Sequence, residues 1–406
     1  MTSLPGLAWD PRFCSPLQTG AFAAACKLIP MEILENIPLA PFTTIRIGGP
    51  ARFFVEAEDE EQARDAVIWA REHQQRLFIL GGGSNLVVSD EGWPGLVLHV
   101  AVGGICTPAS TNTAPAGGPG EGIEERIIAD EVLYSAGAGV DWEQFVARTV
   151  ADGCAGVECL SGIPGSVGGT PVQNVGAYGQ EVSETIASVD VLDLVSLQRL
   201  RLLNADCGFT YRASRFNTTD RGRYLILRAA FSLRRCGAAC LRYPDLLTKF
   251  AERAAPPSPA EVRQAVLDIR RSKAMLVEEA DPDSRSAGSF FKNPLVSRAA
   301  YEAIAERWGR KGVRVPGFEQ PDGRMKLPAA WLVERSGIAK GFQLGPVAVS
   351  TKHALALVNR GGARAVDLLR LKELIQAKVL ENFEIQLQPE PVFVGFTVED
   401  GKKITN

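Results

Sequence analysis

Residues 153–179, GCAGVECLSGIPGSVGGTPVQNVGAYG, hold glycine far more densely than the rest of the chain. With Pro164, Pro171, Asn174 and Tyr178 set among the glycines, the stretch suits a backbone that bends tightly and lets a ligand reach its amide groups. Its peptide N–H groups are candidate partners for an anion. A flexible linker would be rich in Ser, Glu and Lys, whereas small residues here alternate with Leu160, Ile163, Val167, Val172 and Val175. The stretch reads as a structured loop that approaches a ligand.

Upstream, the apolar strand predicted over 77–80 runs straight into Gly81-Gly82-Gly83-Ser84-Asn85. Consecutive glycines after a strand expose several N–H groups in one direction, a nest suited to a diphosphate, although a plain glycine hairpin would carry the same letters. The spacing fits neither G-x-G-x-x-G nor G-x-x-x-x-G-K-[ST]. Ile45 to Val55 predicts two short strands around a Gly48-Gly49-Pro50 turn, and Ala63, Ala66, Val67 and Ala70 predict a helix over 60–73. Further strands are expected over 96–100 and 132–136, and a helix over 141–150 capped by Asp141. Residues 103–122, rich in Gly, Pro, Ala, Ser and Thr, read as a surface insertion without chemistry. Residues 1–30 have no periodicity and are expected to form a disordered extension, with Met31 an alternative start.

Downstream, strands are predicted over 186–194, 199–203 and 224–233, outweighing helices there, which predicts an α+β fold. A helix follows over 260–273 after Pro256, Pro257 and Pro259. Residues 274–388 then change composition, with helices predicted over 299–308, 329–336 and 366–383 and strands over 354–358 and 385–387. In the last helix Leu368, Leu371, Ile375 and Val379 form a core stripe.

The 406 residues, 46% hydrophobic, suffice for more than one core. A formal net charge of −3 without a Lys/Arg stripe argues against a nucleic-acid partner. The eight cysteines form no C-x-x-C pair and have no histidine nearby, so neither a metal site nor a disulfide framework is expected. Reduced thiols in the cytoplasm are expected instead. No apolar run reaches the roughly 20 residues of a membrane helix.

Candidate chemistry centres on AGSFFKNP, residues 287–294. Ser289 beside a glycine is unhindered, yet the segment is not a G-x-S-x-G elbow, and His73, His99 and His353 offer no evident base for an acyl nucleophile. A serine hydroxyl can instead protonate a developing carbanion when cations lower its pKa. Arg212, Lys273 and Lys292 are candidate cations, and Glu390, between Pro389 and Pro391, is a rigidly held carboxylate. Taken singly, each also reads as an ordinary ion pair, turn cap or solvated charge.

Taken in series, TIRIGGPARFF, LGGGSNLVVSD, GAGVDWEQFV, LSGIPGSVGGTPVQNVGAYGQE, FTYRASRF, AGSFFKNP, KLPAAWLVE, STKHALALVN and QPEPVFVG resemble the UDP-N-acetylenolpyruvoylglucosamine reductase family, in the family's order. The resemblance runs from about residue 37 to 395. It implies a two-part FAD-binding domain of the vanillyl-alcohol-oxidase type and a C-terminal α+β substrate-binding domain. The implied division is 31–95 and 96–273 for the FAD subdomains, the second completed by 389–406, and 274–388 for substrate.

By that resemblance FAD is held non-covalently by Arg46, Gly81, Gly82, Gly83, Ser84, Asn85 and Gly137. In the central stretch Ser161, Ile163, Pro164, Gly165, Gly168, Gly169, Asn174, Gly176, Ala177 and Tyr178 would wrap the flavin ring. NADPH would reduce FAD and leave, and UDP-N-acetylglucosamine enolpyruvate would take its place to receive a hydride at its β-carbon. Ser289 would protonate the α-carbon, with Arg212 and Glu390 stabilising the enolate-like intermediate. Tyr243, in the RYPDL segment of the tyrosine-loop form, would contact substrate or NADPH phosphate together with Arg270, Lys273 and Asn293. Arg335 stands where relatives often carry glutamine. The resemblance implies a cytoplasmic monomer in peptidoglycan synthesis, and with it in cell shape and division. A flavin oxidase of the same cofactor fold and a non-catalytic nucleotide-sugar sensor are the alternatives.

Overall fold

Leu96, Val97 and Leu98 are consecutive and all inaccessible to solvent. Successive strand residues face opposite sides, so the strand Trp93–Val100 lies inside a sheet covered on both faces. The computed structural model describes residues 31–107 and 130–397. The N-terminal extension, residues 108–129 of the insertion and its flank, and 398–406 lie outside the described residues.

In the first sheet the order is Leu34–Pro38, Pro50–Ala57, Trp93–Val100, Leu77–Leu80. The first pair is antiparallel and the other two are parallel. The helix Glu60–Glu72 starts where Asp59 accepts from the Gln62 amide at 2.8 Å, and it buries Ala63, Ala66, Val67 and Ala70 in one core with Leu96 and Leu98. On the other face Val97 packs with Leu39, Val88 and Val394. The predicted strand at Ile45–Ile47 does not form. Thr43 Oγ1 donates to the Ile47 carbonyl at 3.1 Å and accepts from its amide at 3.3 Å, closing a loop through Arg46 at φ 57°. That side-chain alternative to the ladder sends Ile45 and Ile47 into the C-terminal core, and Leu34–Pro38 pairs with Pro50–Ala57 instead.

The second sheet is antiparallel, in the order Arg199–Leu203, Ile186–Asp193, Tyr224–Arg235, Glu131–Gly137, Ile105–Cys106. Ile105–Cys106 lies in the segment expected to be a structureless insertion; two residues are too short for a period to be read. The helix Trp142–Ala151, capped by Asp141, packs Phe145 on Phe231 with ring centroids 4.7 Å apart.

Residues 286–387 build a third core. The strands run Ser286–Ser289, Ala356–Asn359, Val347–Val349, Gln343–Leu344, and the helices Arg298–Gly309, Ala329–Arg335 and Ala365–Phe383 pack around them. Leu368, Leu371, Ile375 and Val379 are all fully buried, as their spacing predicts. The predicted strand at 385–387 is absent. Ile385 and Leu387 are buried core residues, but the Leu387 carbonyl accepts from Gln376 Nε2 at 2.7 Å instead of from a strand. The strand comes later: Val392–Val394 returns to the first half of the chain and pairs in parallel with Leu86–Val88.

Candidate active site

Two glycine runs meet main chain to main chain. A Cβ on Gly82 would stand 2.5 Å from Gly165 Cα, and one on Gly83 would stand 1.8 Å from the Phe42 carbonyl oxygen. No side chain fits either place. The Trp142 amide donates to the Gly165 carbonyl at 3.0 Å, which ties the second run to the start of the helix Trp142–Ala151. Both runs border one cavity of about 440 Å³. Ser166 Oγ, beside Gly81, is buried without a hydrogen-bond partner.

Of the residues predicted to bind cofactor, Gly81, Gly82, Gly83, Ser84 and Asn85 line the cavity from one run. Ile163, Pro164, Gly165 and Gly169 line it from the other, with Gly176, Ala177 and Tyr178 beyond them. Arg46 instead borders a neighbouring depression of about 200 Å³ that shares Gly81 and Gly82. Gly137, Ser161, Gly168 and Asn174 lie behind the walls. A Cβ on Gly137 would meet the Val102 and Gly103 carbonyl oxygens at 2.3 Å, and one on Gly168 would meet Ala138 Cβ at 2.6 Å. Ser161 donates to the Glu158 carbonyl at 2.7 Å. Asn174 donates to Glu181 at 2.7 Å and to the Thr210 carbonyl at 3.1 Å, fastening the loop next to Arg212.

The opposite wall is made of side chains from distant elements. Arg212 takes a left-handed backbone, φ 56°, uncommon for a residue with a Cβ. Its Nε lies 3.4 Å from Glu390 Oε1. Glu390 arrives on the returning C-terminal segment: its amide donates to the Phe290 carbonyl at 2.9 Å, Pro389 bridges Phe291, and the Val392 amide donates to the Asn85 carbonyl at 2.9 Å. Burial pushes the Glu390 carboxyl above the ordinary range, with Arg212 and Lys292 pulling it back. Ser289 ends the strand Ser286–Ser289, and the next two residues, Phe290 and Phe291, are buried in the C-terminal core. Those aromatics anchor the strand end that brings Ser289 to the cavity.

At another part of the cavity stand Arg270, Lys273, Tyr178, Tyr243 and His353. Arg270 is 5% exposed; burial lowers its pKa, its guanidinium donates to the Met275 carbonyl at 2.7 Å, and its Nε has no partner. Lys273 Nζ lies 3.2 Å from Asp245. Tyr178 and Tyr243 pack edge to face with centroids 5.1 Å apart. Burial raises the Tyr178 phenol, opposed by Arg270 and Lys273. Asn293 faces elsewhere: its Oδ1 accepts from the Ala329 amide at 2.9 Å at the start of the helix Ala329–Arg335. Arg335 is exposed and does not line the cavity.

Several lining residues were not predicted. The sequence offers His353 only as a base for Ser289, yet its Nδ1 accepts from the Leu355 amide at 3.1 Å, which leaves the ring hydrogen on Nε2. Burial, then Lys273, Lys340 and Arg270, lower its pKa to about 4, so the ring is neutral. Gln173, which accepts from Asn85 at 2.9 Å, and Ser166 lay within the quoted stretch, but nothing in their type set them apart.

A cradle that any Cβ would fill and an orphaned serine hydroxyl fit the phosphates of a dinucleotide. Among the described residues no cluster of His, Cys, Asp and Glu could hold a metal ion, and no helix is long and apolar enough to cross a membrane.

Residues 51–195 match the family model of an FAD binding domain, and residues 281–394 match that of the UDP-N-acetylenolpyruvoylglucosamine reductase C-terminal domain. The UDP-N-acetylenolpyruvoylglucosamine reductase of Thermobifida fusca is 43% identical over 371 residues, 90% of this chain and 98% of the relative. That of Saccharopolyspora erythraea is 46% identical over 364 residues, 88% and 94% of the two chains. The crystal structure of the Thermus caldophilus reductase is 23% identical with a TM-score of 0.56, covering 90% of this chain and 99% of that one, a likeness of fold.

Proposed function

The chain belongs to the UDP-N-acetylenolpyruvoylglucosamine reductase family, and from that premise we propose which of its residues carry the reaction. It is an FAD-dependent oxidoreductase that reduces the enolpyruvyl group of UDP-N-acetylglucosamine enolpyruvate with NADPH, giving UDP-N-acetylmuramate for peptidoglycan. FAD, when bound and reduced, supplies the hydride.

Gly81 to Asn85, with Ile163, Gly165 and Ser166 from the second run, hold the cofactor through main-chain amides, with Ser166 Oγ a further donor. Arg212 grips the substrate carboxylate, where its guanidinium can make two charge-assisted hydrogen bonds as negative charge grows. Ser289 delivers a proton to the α-carbon. Glu390, whose proton is retained above the ordinary carboxylate range, donates to the same developing charge. Arg270, Lys273 and Tyr243 hold the substrate's phosphates or those of NADPH. We divide the chain at 31–95, 96–273 with 389–406, and 274–388, and we place the enzyme in the cytoplasm as a monomer.

The observation that carries this reading is the return of the C-terminal segment, which sets Glu390 against Arg212 in the cavity that Ser289 and both glycine runs share. Neither Cys154 nor Cys159 lines that cavity, so the covalent tether through either that a flavin oxidase would use is not favoured. Anaerobic mixing with NADPH should bleach the flavin absorbance, and adding the enolpyruvyl sugar should restore it. Bleaching without recovery would remove the sugar as substrate.

A further inference from the structure

Two cysteines that the reaction does not use meet beside the site. Cys159 is fully buried in the short 3-10 turn Glu158–Leu160. Cys240 is partly exposed in the irregular segment between the strand Tyr224–Arg235 and the helix Pro244–Lys249. Cys159 Sγ donates to the Cys240 carbonyl at 3.3 Å, and Cys240 Sγ donates to the Gly179 carbonyl at 3.8 Å, so each thiol is held against the backbone of the other's segment. Buried Glu158 holds the pair together. Its Oε1 accepts from the Cys240 amide at 2.7 Å and from Gln180 Nε2 at 3.1 Å, while Gln180 Oε1 accepts from the Cys159 amide at 2.9 Å.

The hydrogen bond from Cys159, then Arg242, bring the Cys240 thiol down to about 7, whereas Cys159 is held well above the ordinary thiol range. A partly exposed thiolate beside a buried thiol is the arrangement of an attacking and a resolving cysteine. We propose that hydrogen peroxide converts Cys240 and Cys159 to a disulfide that fastens the segment leading to Tyr243 onto the glycine-rich loop.

The Cys240 thiolate attacks one peroxide oxygen, the O–O bond breaks, and hydroxide leaves as water after taking a proton; Cys240 is now a sulfenic acid. Cys159 sulfur then attacks Cys240 sulfur, the S–O bond breaks, and a second water leaves with the Cys159 proton. Two thiols and one peroxide become one disulfide and two waters. Tyr243, three residues beyond Cys240, packs on Tyr178 in the cavity wall. The cross-link removes freedom from that wall and slows ligand exchange, a consequence that rests on the proposed use of the cavity.

The test treats the FAD-loaded full chain with dilute hydrogen peroxide, alkylates remaining thiols and maps the peptides. The expected product is a Cys159–Cys240 bridge reversed by dithiothreitol, and Cys159→Ser should trap Cys240 as a dimedone-reactive sulfenic acid. Turnover should fall several-fold on oxidation and recover on reduction, as expected where a conformational step limits the rate. Cys240→Ser should keep the untreated rate and lose none of it to peroxide. Oxidation of exposed Cys106 or Cys236 while Cys240 stays alkylatable overturns the proposal, as does a bridge joining Cys154 to Cys236. A Cys159–Cys240 bridge with unchanged turnover overturns the latch. Bleaching by NADPH and recovery with the sugar, measured before peroxide is added, separates these outcomes from failure of the functional reading.

Discussion

The cavity has two walls built on different principles. One is main chain: Gly82 against Gly165 and Ser166, and Gly83 against Phe42, packed so closely that a methyl group would collide. The other is side chain: Arg212, Ser289 and Glu390, brought from three separate elements and joined by the returning strand Val392–Val394. The first wall offers fixed N–H dipoles to anything carrying phosphate and selects by shape. The second places a cation, a hydroxyl and a carboxyl where charge develops, and chemistry depends on it. Binding and turnover should therefore fail separately when each is damaged.

The largest separation is expected for Ser289→Ala. Loss of a general acid costs about 10²–10⁴ in rate, so turnover of the enolpyruvyl sugar should collapse while flavin reduction by NADPH continues. Equal slowing of both half-reactions in stopped-flow would erase the distinction between the walls. Gly82→Val strikes the other wall. Overpacking typically costs about 1–3 kcal/mol, and here the neighbour is backbone 2.5 Å away. The variant should purify with little flavin, and full yellow colour in it would show that the two runs need not touch.

His353 sharpens the comparison through pH. Its pKa is lowered from 6.5 in the unfolded chain to about 4 in the fold. Only the unfolded state takes up the proton between these values, so stability is full above about 6.5 and is lost as pH falls towards about 4, by at most about 3 kcal/mol. A melting series should show the wild type losing more over this window than His353→Asn; parallel curves would mean that the imidazole is not held neutral. The smallest effect concerns Glu390. Its carboxyl, raised by burial, keeps its proton above the ordinary value of about 4.3, and kcat/KM should decline as pH rises through that raised value. Glu390→Gln, an uncharged donor, should lose this limb and retain part of the rate; an unaltered limb would assign it to another group.

The two walls were unequally legible in the sequence. The glycine runs stood out because close backbone approach leaves a mark on composition itself. The helices Glu60–Glu72, Pro259–Ser272 and Ala365–Phe383 lie within a residue or so of their predicted bounds, since an apolar stripe and, for the first two, a capping side chain delimit them. Ser286–Ser289 and Val347–Val349 were not predicted, because strands of three or four residues carry too little periodicity to be read. The strand expected at 385–387 rests on apolar alternation, which reports burial, whereas the missing ladder is decided by Gln376. Residue chemistry offers Arg212, Ser289 and Glu390 as candidates beside Lys273 and Lys292, each with an ordinary alternative, and the resemblance of successive motifs joins those three as one group. His353 escaped because its setting depends on Lys273, Lys340 and Arg270 gathering around it in space.

If both walls enclose one site, a ligand gripped by the second must touch the flavin held by the first. Titrating UDP-N-acetylmuramate into the oxidised enzyme and following the visible flavin bands tests this directly. The bands should shift along the same saturation curve as the heat of binding, and Arg212→Ala should weaken both together. Saturating heat with an unmoved flavin spectrum would place the sugar elsewhere and contradict a shared cavity.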